Sequence, residues 1–272
     1  MAAEISPHIK RWITGIIAVP LLLLIILYGS ATIFAVVIGA FILGGVLEYN
    51  AMVFDKSFAW EKWEVLVIAA LIFLAGYIGD SFLILAVLTF AFLIVFALYL
   101  LRVREHGLDI TPAGKVVFGF LYIPLLMTHF ILIRRFDDGI LWVFFVLVLA
   151  FAGDTAAFYV GRTWGKTKLL PVVSPAKTTE GILGLIGGSI GACVIYQQIL
   201  LPEFSVVHAV ILGFIGSILG QLGDLCESLI KRASGVKDSG SVLPGHGGIL
   251  DRLDSLLFVA PFVYYYYVWI IK

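Results

Sequence analysis

Nine stretches dominated by apolar residues run along the chain, at 12–28, 31–48, 63–79, 82–101, 116–133, 139–160, 181–201, 206–230 and 249–271. Short polar breaks separate them. Each approaches or meets the roughly 17–25 residues that a helix needs to cross a bilayer core. The pattern predicts an all-α, polytopic integral membrane protein of about nine transmembrane helices. The first stretch carries the basic flank Lys10-Arg11, as a signal peptide would, but its apolar run is too long for one and no small-x-small cleavage site follows. A retained helix is expected.

Composition agrees. Of 272 residues, 61% are hydrophobic and 13% charged, with a mean hydropathy of +1.09, against roughly 45–50% and about 25% in soluble domains. These values exclude a water-soluble globule of this length, a disordered chain, a collagen and a disulfide scaffold. Cys193 and Cys226 both lie inside apolar stretches without metal-ligand spacing and read as small buried hydrophobes.

The net charge of zero is uninformative until the basic residues are placed. With the N-terminus in the cytoplasm, the inner segments hold Lys10, Arg11, Lys56, Lys62, Arg102, Arg104, Lys115, Arg162, Lys166, Lys168, Lys177, Lys231, Arg232, Lys237 and Arg252. The outer segments hold only Arg134, Arg135 and Lys272, so 15 of 18 basic residues fall inside. One missed span would invert every later loop, so the positive-inside rule supports nine helices with the N-terminus cytoplasmic and the C-terminus outside. Trp12, Trp60 and Trp63 near inner boundaries, and Tyr264–Tyr267 with Trp269 near the outer end, suit interfacial anchoring.

Polar chemistry is unevenly distributed. Residues 1–138 read as a scaffold of about five helices, in which Glu48 snorkels near an inner end. Residues 139–272, about four helices with cytoplasmic loops 161–180 and 231–248, read as the catalytic region. Asp154 interrupts the sixth segment, Asp224 and Glu227 lie in the eighth, and Asp251 and Asp254 open the ninth. Acids inside membrane spans are costly and mark ion, proton or substrate sites. Asp224, Glu227, Ser228 and Lys231 follow i, i+3, i+4, i+7 and share a helical face, and Asp251 and Asp254 share another. Carboxylates from separate helices suit a hard divalent cation such as Mg²⁺, completed by substrate phosphates. Glycine stripes at Gly184, Gly188 and Gly191, and at Gly213, Gly216, Gly220 and Gly223, would bring these helices close.

The loop from Lys231 to Gly248 carries three basic residues and a Pro-Gly turn, and delivers Gly247-Gly248 to a helix start. Backbone N–H groups and the positive dipole end there favour phosphate. His246, flanked by glycines, reads as a phosphate or nucleotide contact rather than a metal ligand or base. Gly161-Arg-Thr-Trp-Gly-Lys-Thr167 imitates a P-loop but has three residues between its glycines instead of four and follows a membrane helix instead of a strand.

The run from Ser228 to Asp254, written S-x-x-K-R, K-D, P-G-H-G-G, D-R-x-D, resembles the signature of the phosphatidate cytidylyltransferases. Gly153-Asp154, Gly161-Arg162, Ser174-Pro-Ala-Lys-Thr-Thr-Glu-Gly181 and Gly223-Asp224 are similar to further motifs of that family. The close resemblance covers about residues 150–255. It implies CTP + phosphatidate → CDP-diacylglycerol + pyrophosphate, dependence on Mg²⁺, and a homodimer in the inner membrane with its site facing the cytoplasm and no nucleic acid among its partners.

On that basis Asp224 and Asp251 are expected to hold Mg²⁺, with Asp254 and Asp154 as further ligands or supports and room for a second cation. Lys231, Arg232, Lys237 and Arg252 would hold CTP phosphates or the departing pyrophosphate, alongside His246, Gly247 and Gly248. Ser174, Lys177 and Thr178 would engage CTP or the phosphatidate headgroup. The rival expectation is a cation- or proton-coupled transporter, since intramembrane acids and glycine-packed helices also build ion paths. The acids' crowding towards one membrane side argues against it.

Overall fold

A computed structural model describes residues 7–242 and 247–272, with side chains from Ile16 onward except those of Ile17, Glu105 and His106. Its helices are α1 (Pro7–Tyr28), α2 (Ala31–Val53), α3 (Ala59–Ile78), α4 (Ser81–Leu101), the single turn α5 (Val103–His106), α6 (Thr111–Phe120), α7 (Leu126–Ile133), α8 (Gly139–Trp164), α9 (Thr179–Leu200), α10 (Val206–Ala233) and α11 (Leu250–Tyr266). A π-helical turn, Leu121–Leu125, joins α6 to α7, and another, Tyr267–Ile271, extends α11. Helix covers all nine predicted segments. Among the described residues, seven helices are long and apolar enough to cross a membrane: α2, α4, Thr111–Ile133, α8, α9, α10 and Leu250–Ile271. α1 and α3 are not among the seven: the apolar stretch of α1, Ala18–Tyr28, is shorter, and Glu61, Lys62 and Glu64 crowd the first turns of α3.

Sequence explains the breaks. Ser30 and Asp80 cap α2 and α4, accepting hydrogen bonds from Ile33 N (3.2 Å) and Phe82 N (2.8 Å). Gly79 ends α3 in the left-handed conformation, at φ 81°. Pro124 lacks an N–H and would clash in a regular α-helix, and the π-turn accommodates it.

The chain forms two compact units, Met1–Leu132 with Asp238–Arg252, and Ile133–Lys237 with Leu253–Lys272. The first thus includes a segment that the sequence groups with the C-terminal region. Three consecutive buried residues near the end of α2 organise this unit. Tyr49 Oη donates to Lys115 O (2.8 Å) and Asn50 Nδ2 to Lys62 O (3.0 Å), while Glu48 receives the 238–252 segment. Arg102 pairs with Glu61 (3.2 Å) and Glu64 (2.5 Å).

In the second unit α8, α9, α10 and α11 pack through their glycines. A Cβ on Gly184 or Gly188 would strike Val160 or Ala156 of α8. On α10, Gly213 abuts the Ile190 backbone of α9, Gly216 abuts Leu149 of α8, and Gly220 and Gly223 abut α11. The α10 stripe therefore spirals past three neighbours in turn. A two-stranded antiparallel hairpin, β1 (Lys168–Leu170) and β2 (Ser174–Thr178), precedes α9.

Candidate functional site

The predicted site residues fall into two clusters, one in each unit. In the second unit the hairpin delivers Lys177 and is braced by its neighbours. Thr178 is buried and caps α9, its Oγ1 accepting from Gly181 N at 3.1 Å. Gly161, Gly165 and Gly181 surround that hydroxyl, so a Cβ on any of them would come within 3.0 Å of Thr178. Glu180 accepts from the backbone N–H groups of Lys166 (3.1 Å) and Thr167 (3.2 Å). Those donors sit where a P-loop would offer its own to phosphate, so the look-alike motif is closed by a protein carboxylate. Thr178, expected at the substrate, is given a structural task; Ser174 stays half-buried on β2.

Lys177 Nζ lies 2.5 Å from Asp224 Oδ2, and Ser228 Oγ donates to Asp224 Oδ1 at 3.4 Å. Gly223, packed against the Asp254 carbonyl, lets α10 approach α11 beside these acids. Asp154 and Asp254 each interact electrostatically with both Asp224 and Lys177. Lys177 thus pairs directly with the α10 carboxylate, while those of α8 and α11 lie within electrostatic range of the pair. One turn along α10, Lys231 pairs with the buried Glu227 at 2.5 Å, confirming the shared face read from the spacing. Arg232 Nη1 donates to Val236 O (3.1 Å), and Lys237 is exposed.

Among the described residues no three His, Cys, Asp or Glu side chains form a ready metal cage. A hard cation such as Mg²⁺ does not require one, since it is usually bound through one or two carboxylates with water and substrate phosphates. The oxygen-only donors Asp154, Asp224 and Asp254, in excess over Lys177, fit such an ion.

The cluster of the first unit is built from Glu48, Ser239, Gly248 and Asp251. Asp251 Oδ2 accepts from Ser239 N (3.0 Å), Ser239 Oγ (3.1 Å) and Gly248 N (2.8 Å). Glu48 Oε1 accepts from Ile249 N (2.8 Å), and its Oε2 from Leu250 N (3.0 Å) and Ser239 Oγ (2.9 Å). The sequence offers these helix-start donors to phosphate; in the structure they are already in use. The N–H groups of Gly248, Ile249 and Leu250 at the start of α11 are held by protein carboxylates, because two acids lie close enough to replace a phosphate. The glycines also make room for these acids. A Cβ on Gly240 or Gly248 would collide with Glu48, and Gly247 adopts φ 83° with Asp251 Oδ2 2.6 Å from where its Cβ would be. Arg252 is exposed, and His246 lies outside the described residues. Sequence reasoning missed Glu48, whose partners lie about 200 residues later.

Residues 9–270 match the family model described as "Cytidylyltransferase family". The chain is 33% identical over 253 residues to the phosphatidate cytidylyltransferase of Staphylococcus haemolyticus, covering 92% of this chain and 95% of that one. It is 42% identical over 153 residues to the phosphatidate cytidylyltransferase of Bacillus subtilis, covering 56% and 57%. A 191-residue match at 37% identity joins it to the uncharacterized protein YnbB of Escherichia coli, covering 63% and 64%.

Proposed function

The chain belongs to the cytidylyltransferase family, and from that premise we propose that it transfers CMP from CTP to phosphatidate, giving CDP-diacylglycerol and pyrophosphate. A phosphate oxygen of phosphatidate forms a bond to the α-phosphorus of CTP as the bond to pyrophosphate breaks. That oxygen is already ionised near neutral pH, so the protein supplies position and charge rather than a strong base. The observation carrying this reading is the Lys177–Asp224 ion pair, with the carboxylates of Asp154 on α8 and Asp254 on α11 in electrostatic range of it.

Asp224, supported by Asp254 and Asp154, would hold Mg²⁺, which when bound neutralises phosphate charge. Lys177 neutralises Asp224 otherwise and is placed to turn its charge to a substrate phosphate. Lys231, Arg232, Lys237 and Arg252 add positive charge for CTP and the departing pyrophosphate. Asp251, oriented by Ser239 and Gly248, is proposed as a further Mg²⁺ ligand, the role the sequence expects of it.

The test is labelled CTP with phosphatidate and Mg²⁺ in detergent. CTP-dependent formation of a lipid-soluble nucleotide, abolished by a chelator, is expected; its absence from folded protein refutes the reading. The basic-residue distribution supports nine spans in the inner membrane with loops 161–180 and 231–248 cytoplasmic. Cysteines at positions 237 and 135 should then react with an impermeant reagent from opposite sides. The family resemblance supports a homodimer, which crosslinking in membranes would reveal.

A further inference from the structure

We infer that Glu48 is a positioning residue for the reaction: through Ser239 and the first N–H groups of α11 it fixes the loop that presents Asp251. The inference rests on the proposed role of Asp251. Glu48 is 5% exposed, and its partners among the described residues are two backbone N–H groups and one hydroxyl. A buried carboxylate is costly unless several donors compensate it. Three donors do so, all from the segment that also binds Asp251.

The geometry has a directional logic. The Ser239 hydroxyl carries one proton and stands 2.9 Å from Glu48 Oε2 and 3.1 Å from Asp251 Oδ2, so it serves one carboxylate at a time. Among the described residues Ser239 N donates to Asp251 and Leu250 N to Glu48. The two acids therefore clamp opposite sides of one loop. Glu48 also places negative charge at the positive end of α11, the helix bearing Asp251. Tyr49 and Asn50, through their bonds to Lys115 O and Lys62 O, lock α2 against rotation and so fix where Glu48 points. Gly240 and Gly248 are spaces kept open for it.

The test is Glu48→Gln in the full-length protein in detergent. The amide turns a donor towards Leu250 N–H or Ile249 N–H while preserving size. Losses of roughly 10–100-fold are typical when a partner that orients a site ligand is removed. The expected result is a fall of that size in kcat, with KM for CTP changed less than about twofold. Hydrogen exchange should accelerate at Ser239 and at 248–251 while α3 and α6 keep their protection. Glu48→Asp should recover part of the rate.

Wild-type kcat, or exchange rising throughout α2, α3 and α6, overturns the inference. Should Glu48→Gln fail to fold, Ser239→Ala deletes only the shared hydroxyl and should lose rate with the same local exchange signature; an unchanged rate there overturns it equally. If wild-type protein makes no CDP-diacylglycerol, the function fails while the exchange result still decides whether Glu48 holds this loop.

Discussion

Lys177 Nζ and Asp224 Oδ2 stand 2.5 Å apart, joining the end of the hairpin to α10, and both side chains keep some access to solvent, at 19% and 29%. An internal ammonium thus occupies a carboxylate that the proposed chemistry assigns to a metal. Lys177→Met should lower the Mg²⁺ concentration for half-maximal turnover by up to about fivefold, since a partly exposed pair is worth at most about 1 kcal/mol. It should also raise KM for CTP. Steady-state kinetics over a Mg²⁺ series checks both directions.

Asp224→Asn should cost about 10²–10³-fold in kcat, the scale seen when a group stabilising transition-state charge is lost. The variant should elute as the wild type does from a sizing column in detergent.

Asp251 separates charge from structure. Asp251→Asn keeps one oxygen to accept from Ser239 and Gly248, so it should melt near the wild type while losing turnover. Asp251→Ala strands those N–H groups and should melt lower, by the about 1–3 kcal/mol of an unsatisfied buried donor. Thermal unfolding in detergent distinguishes the two.

Gly248→Ala drives a methyl into Ser239 and Glu48 and should destabilise by about 1–3 kcal/mol, as overpacking does. Gly114 of α6 has nothing within 4 Å of its Cβ position, so Gly114→Ala should be neutral or stabilise by up to about 1 kcal/mol. The same melting assay compares them.

Thr178→Val retains shape but removes the cap of α9, and should cost about 1 kcal/mol with KM for CTP unchanged. Thr178→Ser should keep both stability and rate. A raised KM for CTP in the valine variant, restored in the serine variant, would return Thr178 to the substrate.

What was legible in the sequence follows from range. Helix boundaries were readable because apolar runs and their breaks are local: Ser30, Gly79 and Asp80 act within a turn of themselves. The shared face of Asp224, Ser228, Glu227 and Lys231 was readable because helical period is fixed. Glu48 was not, since a lone glutamate near a helix end looks the same whether it snorkels or caps a helix about 200 residues away. The glycines around 247 illustrate the same limit. Their number was visible, but whether they made room for a phosphate or for Glu48 depended on which acid folds back against them.

Glu48, Tyr49 and Asn50 occupy three successive positions, 100° apart around α2, and each is committed to a different stretch of chain. The helix therefore works as a keyed shaft. Inserting one residue between Ser30 and Glu48 would turn all three keys out of their locks at once, whereas seven added residues, close to two whole turns, would return them nearly to the same azimuth while moving them along the axis. The length of α2 from its cap to Glu48 is thereby coupled to the presentation of Asp251, so changes of chain length far from the acid would be felt as changes in its aim.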